Sequence, residues 1–165
     1  EKAIIADLNV LIEKLVAARL EEGKLLEEVL VSQLDEVEEL VRNATQSAAL
    51  RPEKVKERLK AQMENILSTG TSLDDGRLEQ ELAMLATKAD VSEELDRLGA
   101  HISTVRDLLK SPDGGIGRRL DFMCQEFNRE ANTLCSKAND KELTQIGLDL
   151  KVIVDRLREQ VQNIE

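Results

Sequence analysis

The chain has 165 residues and a formal net charge of −10, with 33 acidic and 23 basic side chains. It contains two Phe and no Trp or Tyr, although 41% of its residues are hydrophobic. A core of aliphatic side chains favours helix-on-helix packing over a β-sandwich. The acidic balance argues against general affinity for nucleic acid, because phosphate neutralisation supplies most of that affinity.

The sequence carries no signal peptide, transmembrane run or lipidation motif, so we expect a cytoplasmic protein that contacts no membrane. It opens at Glu1 without an initiator Met, and we therefore expect it to be part of a longer protein. No strand-like alternation is present. The fold class we predict is all-α, with a long helical hairpin followed by a bundle of three to four helices.

The hairpin is predicted over residues 1–70. Its first helix runs from about Ala3 to Asn43, and a bend is expected at Gly23, where the apolar register shifts. A second helix begins near Pro52, a residue suited to the first helical position, and folds back on the first. The apolar positions of the two helices are Leu8, Leu11, Leu15, Leu26, Leu30, Leu34, Val37 and Val41, then Val55, Leu59, Met63 and Ile66.

The bundle is predicted over residues 71–165, after a Ser-, Thr- and Gly-rich linker at 68–76. Asp90 is the expected N-cap of one helix, with Glu93 completing the spacing of a capping box. Gly147, inside the last helix, costs about 1 kcal/mol relative to Ala and therefore indicates a close approach between helices. The predicted helices are Arg77–Lys88, the helix capped by Asp90, Gly117–Lys137 and a last one from about Lys141. The helix capped by Asp90 has apolar residues at heptad spacing, and they are Leu95, Leu98, Ile102, Val105 and Leu109.

The helix predicted at Gly117–Lys137 contains unusual polar residues. Asn128, Asn132 and Thr133 are each less favourable in a helix than Ala, by roughly 0.5–0.7 kcal/mol. An apolar stripe is nevertheless regular, so we expect the polar side chains to lie on faces that the core does not use. The stripe consists of Leu120, Met123, Cys124, Phe127, Ala131, Leu134, Cys135 and Ala138.

The two cysteines of that stripe, Cys124 and Cys135, are predicted to be buried, reduced core thiols. They are separated by about 16 Å at 1.5 Å per helical residue, which is too far for a disulfide. Reduced thiols suit a cytosolic protein.

Acidic residues and one histidine are candidates for metal chemistry. Glu126 and Glu130 stand at i and i+4, so their carboxylates can share a face and bind Mg²⁺ or Mn²⁺. His101 shares a face with Glu94 and Arg97. It is interpreted either as a half-exposed surface imidazole or as a general acid, general base or metal ligand. Glu pairs at this spacing are also common on solvated helices.

Three blocks of the sequence resemble the C-terminal half of the bacterial YicC family. They are GRRLDFMCQEFNREANTLCSK at 117–137, REQVQNIE at 158–165 and RLEQELAMLATKADVSEELDRLGAHI at 77–102. The resemblance implies a metal-dependent endoribonuclease that assembles as a homo-hexamer, uses Mn²⁺ or Mg²⁺, and acts on RNA. It also implies an N-terminal domain that this chain lacks.

Residue chemistry suggests which side chains would carry the activity that the resemblance implies. Arg118 and Arg119 open a helix, where backbone N–H groups and guanidiniums together suit a phosphate, although helix-end solvation is the simpler interpretation. The catalytic candidates are Glu126, Glu130 and His101. The candidate metal ligands are Glu126, Glu130, Glu81 and Glu94. The RNA-binding candidates are Arg118, Arg119, Asn128, Arg129, Asn132 and Lys137.

Two alternatives to a nuclease remain open at this point. One is a non-catalytic helical scaffold, in which the amide-rich helix and REQVQNIE form contacts between helices or subunits. The acidic charge and the lack of aromatic stacking platforms favour it. The other is an RNA-binding adaptor without hydrolysis. Convergence of Glu126, Glu130, Arg118 and His101 around one cleft would favour the enzyme.

Overall fold

The computed structural model describes residues 2–49, 61, 84, 90–111, 115–138 and 140–164. These residues form helices and no strand, which confirms the all-α prediction. The predicted helix from Pro52, the linker at 68–76, most of Arg77–Lys88 and the candidate ligand Glu81 lie outside the described residues. Within the described residues, the helices with defined bounds are α1 (Lys2–Ala49), α2 (Ser92–Leu109), α3 (Gly117–Lys137) and α4 (Lys141–Val161).

Helix α1 is longer than the sequence pattern predicted, since it continues past Asn43 to Ala49. It also continues through Gly23, where a bend was expected. Gly23 is exposed, and a Cβ placed there would meet no atom within 4 Å. An isolated glycine costs an exposed helix only about 1 kcal/mol, which a helix of this length tolerates.

The two halves of α1 have different surroundings. Its second half enters the common core with α2, α3 and α4, through Leu30, Leu34, Val37, Val41 and Ala44. The first half leaves its apolar residues exposed, and they are Ile4, Ile5, Leu8, Val10, Leu11, Ile12, Leu15, Val16, Leu20, Leu25 and Val29. Within the part of the chain that the structure describes, no helix is both long and apolar enough to cross a membrane.

The N-cap of helix α2 lies one residue after the predicted N-cap, Asp90. The residue at the N-cap is Val91, whose side chain makes no capping hydrogen bond. Asp90 instead accepts hydrogen bonds from the backbone N–H and the hydroxyl of Ser92, and these bonds lower the pKa of its carboxyl. At the other end Leu108 is buried, whereas Leu109, which the pattern placed in the core, is half-buried.

Helix α3 has the predicted bounds, and most of its apolar stripe is buried. The expectation that its polar residues avoid the core is wrong for Glu130, which is 2% exposed. Asn128 also has an inter-helix role, because its amide donates to Asp155 of α4 at 3.0 Å. A polar contact across helices therefore explains one of the three poor helix formers.

Helix α4 begins with a true cap, since Asp140 accepts from the backbone N–H of Leu143 at 2.9 Å. The residues after α4 pack on helices of the same chain, which is one of the two contacts expected for REQVQNIE. Ile164 packs against the core, and a Cβ on Gly117 would lie only 2.7 Å from the carbonyl oxygen of Ile164. Arg158 also donates to Asp121 of α3 at 3.0 Å.

Gly147 is buried, and the close approach predicted for it is present. A Cβ at this position would lie 2.5 Å from Sγ of Cys135. We expect Gly147→Ala to lower the free energy of unfolding by about 1–2 kcal/mol, because overpacking outweighs the gain in helix propensity. In a Cys135→Ala background the same change should stabilise the fold, by up to about 1 kcal/mol. Urea unfolding of the four proteins measures this coupling, and equal effects in both backgrounds would contradict it.

The two thiols should differ in reactivity. Cys124 is 1% exposed, and burial raises the pKa of its thiol to about 12. Cys135 was predicted to be buried but is half-buried, and burial raises the pKa of its thiol as well. We expect alkylation at pH 8 to modify Cys135 first and Cys124 only after unfolding, since the thiolate is the reactive form. Mass spectrometry of a timed reaction with iodoacetamide tests the order.

Candidate metal centre between α2 and α3

The contact between α2 and α3 buries charge. Among the described residues, the two buried charged side chains are Glu94, at 4% exposure, and Glu130, at 2%. Glu94 accepts from Nζ of Lys137 at 2.8 Å, and Glu130 accepts from Nη1 of Arg97 at 3.3 Å. Apolar residues of similar size would usually stabilise such a contact at least as well. Stability alone therefore does not explain these carboxylates.

Three potential metal ligands converge at this contact. His101 of α2 and Glu126 and Glu130 of α3 each offer one ligand atom, and these atoms all lie within 4.8 Å of one another. Ligands about 2.2 Å from a shared cation lie within about 4.4 Å of one another, so small side-chain rotations suffice to close the site. The i, i+4 spacing on α3 and the packing of α2 against it produce this arrangement.

The imidazole of His101 has a nitrogen without a hydrogen-bond partner in the described part of the chain. Its Nε2 is buried and makes no hydrogen bond within the described part of the chain. The ring packs edge-on against Phe127, with centroids 5.9 Å apart and planes at 90°. Buried polar atoms nearly always have a partner, so this nitrogen indicates a group that the described residues do not supply. A neutral imidazole nitrogen is a common metal ligand.

Arginines flank the two carboxylates of the cluster. Arg97 joins the buried Glu130 to the exposed Glu93, and its hydrogen bond with Glu130, followed by the charge of Glu93, raises the pKa of its guanidinium. Arg129 lies with its Nη1 3.9 Å from Oε2 of Glu126. The cluster therefore contains both signs of charge before any ligand binds.

Glu94 lies outside the cluster, although it was a candidate ligand. It precedes His101 by seven residues, about 10.5 Å along a helix. Its partner is Lys137, which was a candidate RNA-binding residue and here approaches a buried carboxylate. The second carboxylate oxygen of Glu94 is buried and has no hydrogen-bond partner in the described structure.

The other RNA-binding candidates are spread along α3. Arg118 and Arg119 are exposed at its start, and Arg118 precedes Glu126 by about 12 Å along the helix axis. Arg129 and Asn132 are exposed, and Asn128 is bonded to α4. The structure thus brings His101, Glu126 and Glu130 together but leaves Arg118 and Arg119 apart from them.

Arg97 is the residue of this region that the sequence analysis did not assign. The sequence did indicate its position, because Arg97 precedes His101 by one helical turn and lies on the same face of the helix. What the sequence did not reveal was which carboxylates of another helix lie opposite that face.

The fold and the cluster define an all-α protein with a partly buried histidine–carboxylate group between two helices. A sequence family described as "Endoribonuclease YicC-like, C-terminal" matches residues 44–165. The chain belongs to this family, as the three sequence blocks indicated. It is 38% identical over 163 residues to "Probable endoribonuclease YicC" of Haemophilus influenzae, covering 94% of this chain and 53% of that relative. It is 34% identical over 152 residues to the protein of that name from Clostridioides difficile, covering 92% and 52%.

The chain spans about half the length of the curated relatives that it matches. Both relatives are named as probable endoribonucleases.

Proposed function

We propose that this chain provides the divalent-cation centre of an endoribonuclease, with His101, Glu126 and Glu130 as the protein ligands. The observation that carries the proposal is the convergence of one ligand atom each from these three residues. His101 also has a buried Nε2 that makes no hydrogen bond among the described residues. The names of the relatives support RNA as the substrate.

The donor set fits a cation of intermediate softness. One imidazole nitrogen and two carboxylates suit Mn²⁺, whereas Mg²⁺ prefers oxygen ligands and retains most of its water. We therefore place Mn²⁺ ahead of Mg²⁺ as the cofactor. The carboxylate of Glu130 is fixed by burial, and the ring of His101 is held against Phe127, so the site is largely pre-formed.

The chemistry proposed is hydrolysis of a phosphodiester bond. A bound divalent cation polarises the phosphate and lowers the pKa of a coordinated water. Glu126 and Glu130 supply the negative charge that holds the cation, and His101 supplies a neutral donor. Local positive charge is required for RNA to approach, because the chain as a whole has a net charge of −10.

The second candidate function is an oligomerisation scaffold, with catalysis supplied elsewhere in the full-length protein. The exposed apolar residues along the first half of α1 favour it, because extensive exposed apolar surface typically marks a protein contact. Assembly as a homo-hexamer is compatible with either function and remains part of the proposal, as does a cytoplasmic location.

Cleavage of a labelled, structured RNA by the purified chain tests the proposal. We expect products with Mn²⁺, fewer with Mg²⁺ and none with EDTA. The double variant Glu126→Gln/Glu130→Gln should lose activity, whereas Glu36→Gln/Glu39→Gln, which removes two exposed charges from α1, should retain it. Equal cleavage by both double variants would exclude Glu126 and Glu130 from the mechanism. Absence of cleavage by the wild-type chain, with activity in the full-length protein, would favour the scaffold.

A further inference from the structure

Arg97 connects the buried carboxylate of Glu130 to the protein surface. Its Nη1 lies 3.3 Å from Oε1 of Glu130, and its Nη2 lies 2.5 Å from Oε1 of Glu93. The side chain of Glu130 is 3% exposed, that of Arg97 is 48% exposed, and that of Glu93 is 66% exposed. The guanidinium of Arg97 therefore lies between the candidate metal ligand Glu130 and the exposed Glu93.

This arrangement is poorly explained by stability. Ion pairs between exposed groups, such as Arg97 with Glu93, contribute little to folding. The contact with Glu130 is long for a charged hydrogen bond, which is usually 2.7–2.9 Å. Arg106, on the same helix, provides a comparison, because it also bridges two carboxylates, Asp35 and Glu38 of α1. That bridge ties two helices together and lies outside the cluster.

The net formal charge around the cluster, with a divalent cation bound, would be balanced by one phosphodiester. Glu93, Glu126 and Glu130 contribute three negative charges, and Arg97 and Arg129 contribute two positive charges. A divalent cation would leave the group with one positive charge, which one RNA phosphodiester neutralises. Without Arg97 the occupied centre would be neutral, and the attraction for the phosphate would be weaker.

We propose that Arg97 contacts the phosphate of the RNA that is cleaved at His101, Glu126 and Glu130. If Glu130 held a cation, its carboxylate would no longer be available to the guanidinium of Arg97. The ion pair with Glu93 would keep Arg97 beside the cluster, and the donors that face Glu130 would be available to a phosphate oxygen. A guanidinium suits this role because its paired N–H groups match two phosphate oxygens.

The inference rests on the proposed cation site and is tested with two independent readouts. Mn²⁺ affinity is measured at pH 8 from the electron paramagnetic resonance signal of the free ion, without RNA. The kcat and KM of RNA cleavage are measured separately with saturating Mn²⁺. The variants are Arg97→Gln, Arg97→Lys and the matched control Arg106→Gln, each checked for folding by circular dichroism.

We expect Arg97→Gln to bind Mn²⁺ several-fold more tightly, since a competing positive charge is removed. Its kcat/KM should fall by about 100-fold, the usual loss when one charge-stabilising donor is removed. Arg97→Lys should recover part of the cleavage, because it keeps the charge but not the paired donors. Arg106→Gln should change neither readout.

Two results would overturn the role of Arg97 while leaving the cation site in place. Weaker Mn²⁺ binding by Arg97→Gln would show that Arg97 only positions Glu130. Unchanged kcat/KM in Arg97→Gln would show that it does not contact the substrate. If the wild-type protein binds no Mn²⁺, or if Glu126→Gln/Glu130→Gln binds it equally well, the cation site itself fails, and the role of Arg97 fails with it.

Discussion

His101→Gln is expected to remove cation binding while leaving the fold almost unchanged. Among the described residues Nε2 of His101 makes no hydrogen bond, so the free energy of unfolding of the variant should lie within about 1 kcal/mol of the wild-type value. Loss of a direct ligand should weaken Mn²⁺ binding by at least about 100-fold, since changes to residues beyond the ligands already cost 10–100-fold in other metal sites. Isothermal calorimetry and urea unfolding measure the two effects.

The two effects separate a ligand from a core histidine. A histidine retained for packing would lose stability on replacement and leave Mn²⁺ binding unchanged, which is the result that would contradict the assignment. The preference for Mn²⁺ over Mg²⁺ should also decrease in His101→Gln, because the remaining donors are all oxygen atoms.

Phe127→Ala is expected to produce the largest loss of stability among single changes near the centre. Phe127 is 0% exposed in the common core, and its ring contacts that of His101. Truncation should lower the free energy of unfolding by about 3–5 kcal/mol. Phe127→Leu should cost less because it retains most of the apolar volume.

Phe127→Leu also tests the link between the core and the centre. It removes the ring that orients His101 but keeps a folded protein, so we expect moderately weaker Mn²⁺ binding with small loss of stability. Denaturant unfolding and Mn²⁺ titration of the same sample give both values. Equal Mn²⁺ affinity in Phe127→Leu and wild type would show that the imidazole is positioned without the ring of Phe127.

Local sequence signals predicted the features that depend on a single helix. The bounds of α3 followed from the glycines at its start, the Asn139-Asp140 pair after it and its regular apolar stripe. The pair Glu126 and Glu130 followed from their i, i+4 spacing. Gly147 indicated a close approach because a glycine within a helix has a cost that packing must justify.

Features that depend on two helices were missed or only partly predicted. The burial of Glu130 depends on the position of α2, which the periodicity of α3 does not contain. For the same reason Arg97 was not assigned, whereas Arg118 and Arg119 were favoured because they begin a helix. The cap of α2 was misplaced by one residue, because the carboxyl of Asp90 bonds to Ser92 in a local turn.

The most direct test is a crystal structure from crystals soaked in Mn²⁺, with an anomalous difference map calculated from data collected near the manganese absorption edge. The proposal predicts a peak bonded to His101, Glu126 and Glu130, with Arg97 displaced from Glu130 towards Glu93. A map without a peak at this position under millimolar Mn²⁺, or with a peak at other residues only, would contradict the assigned centre.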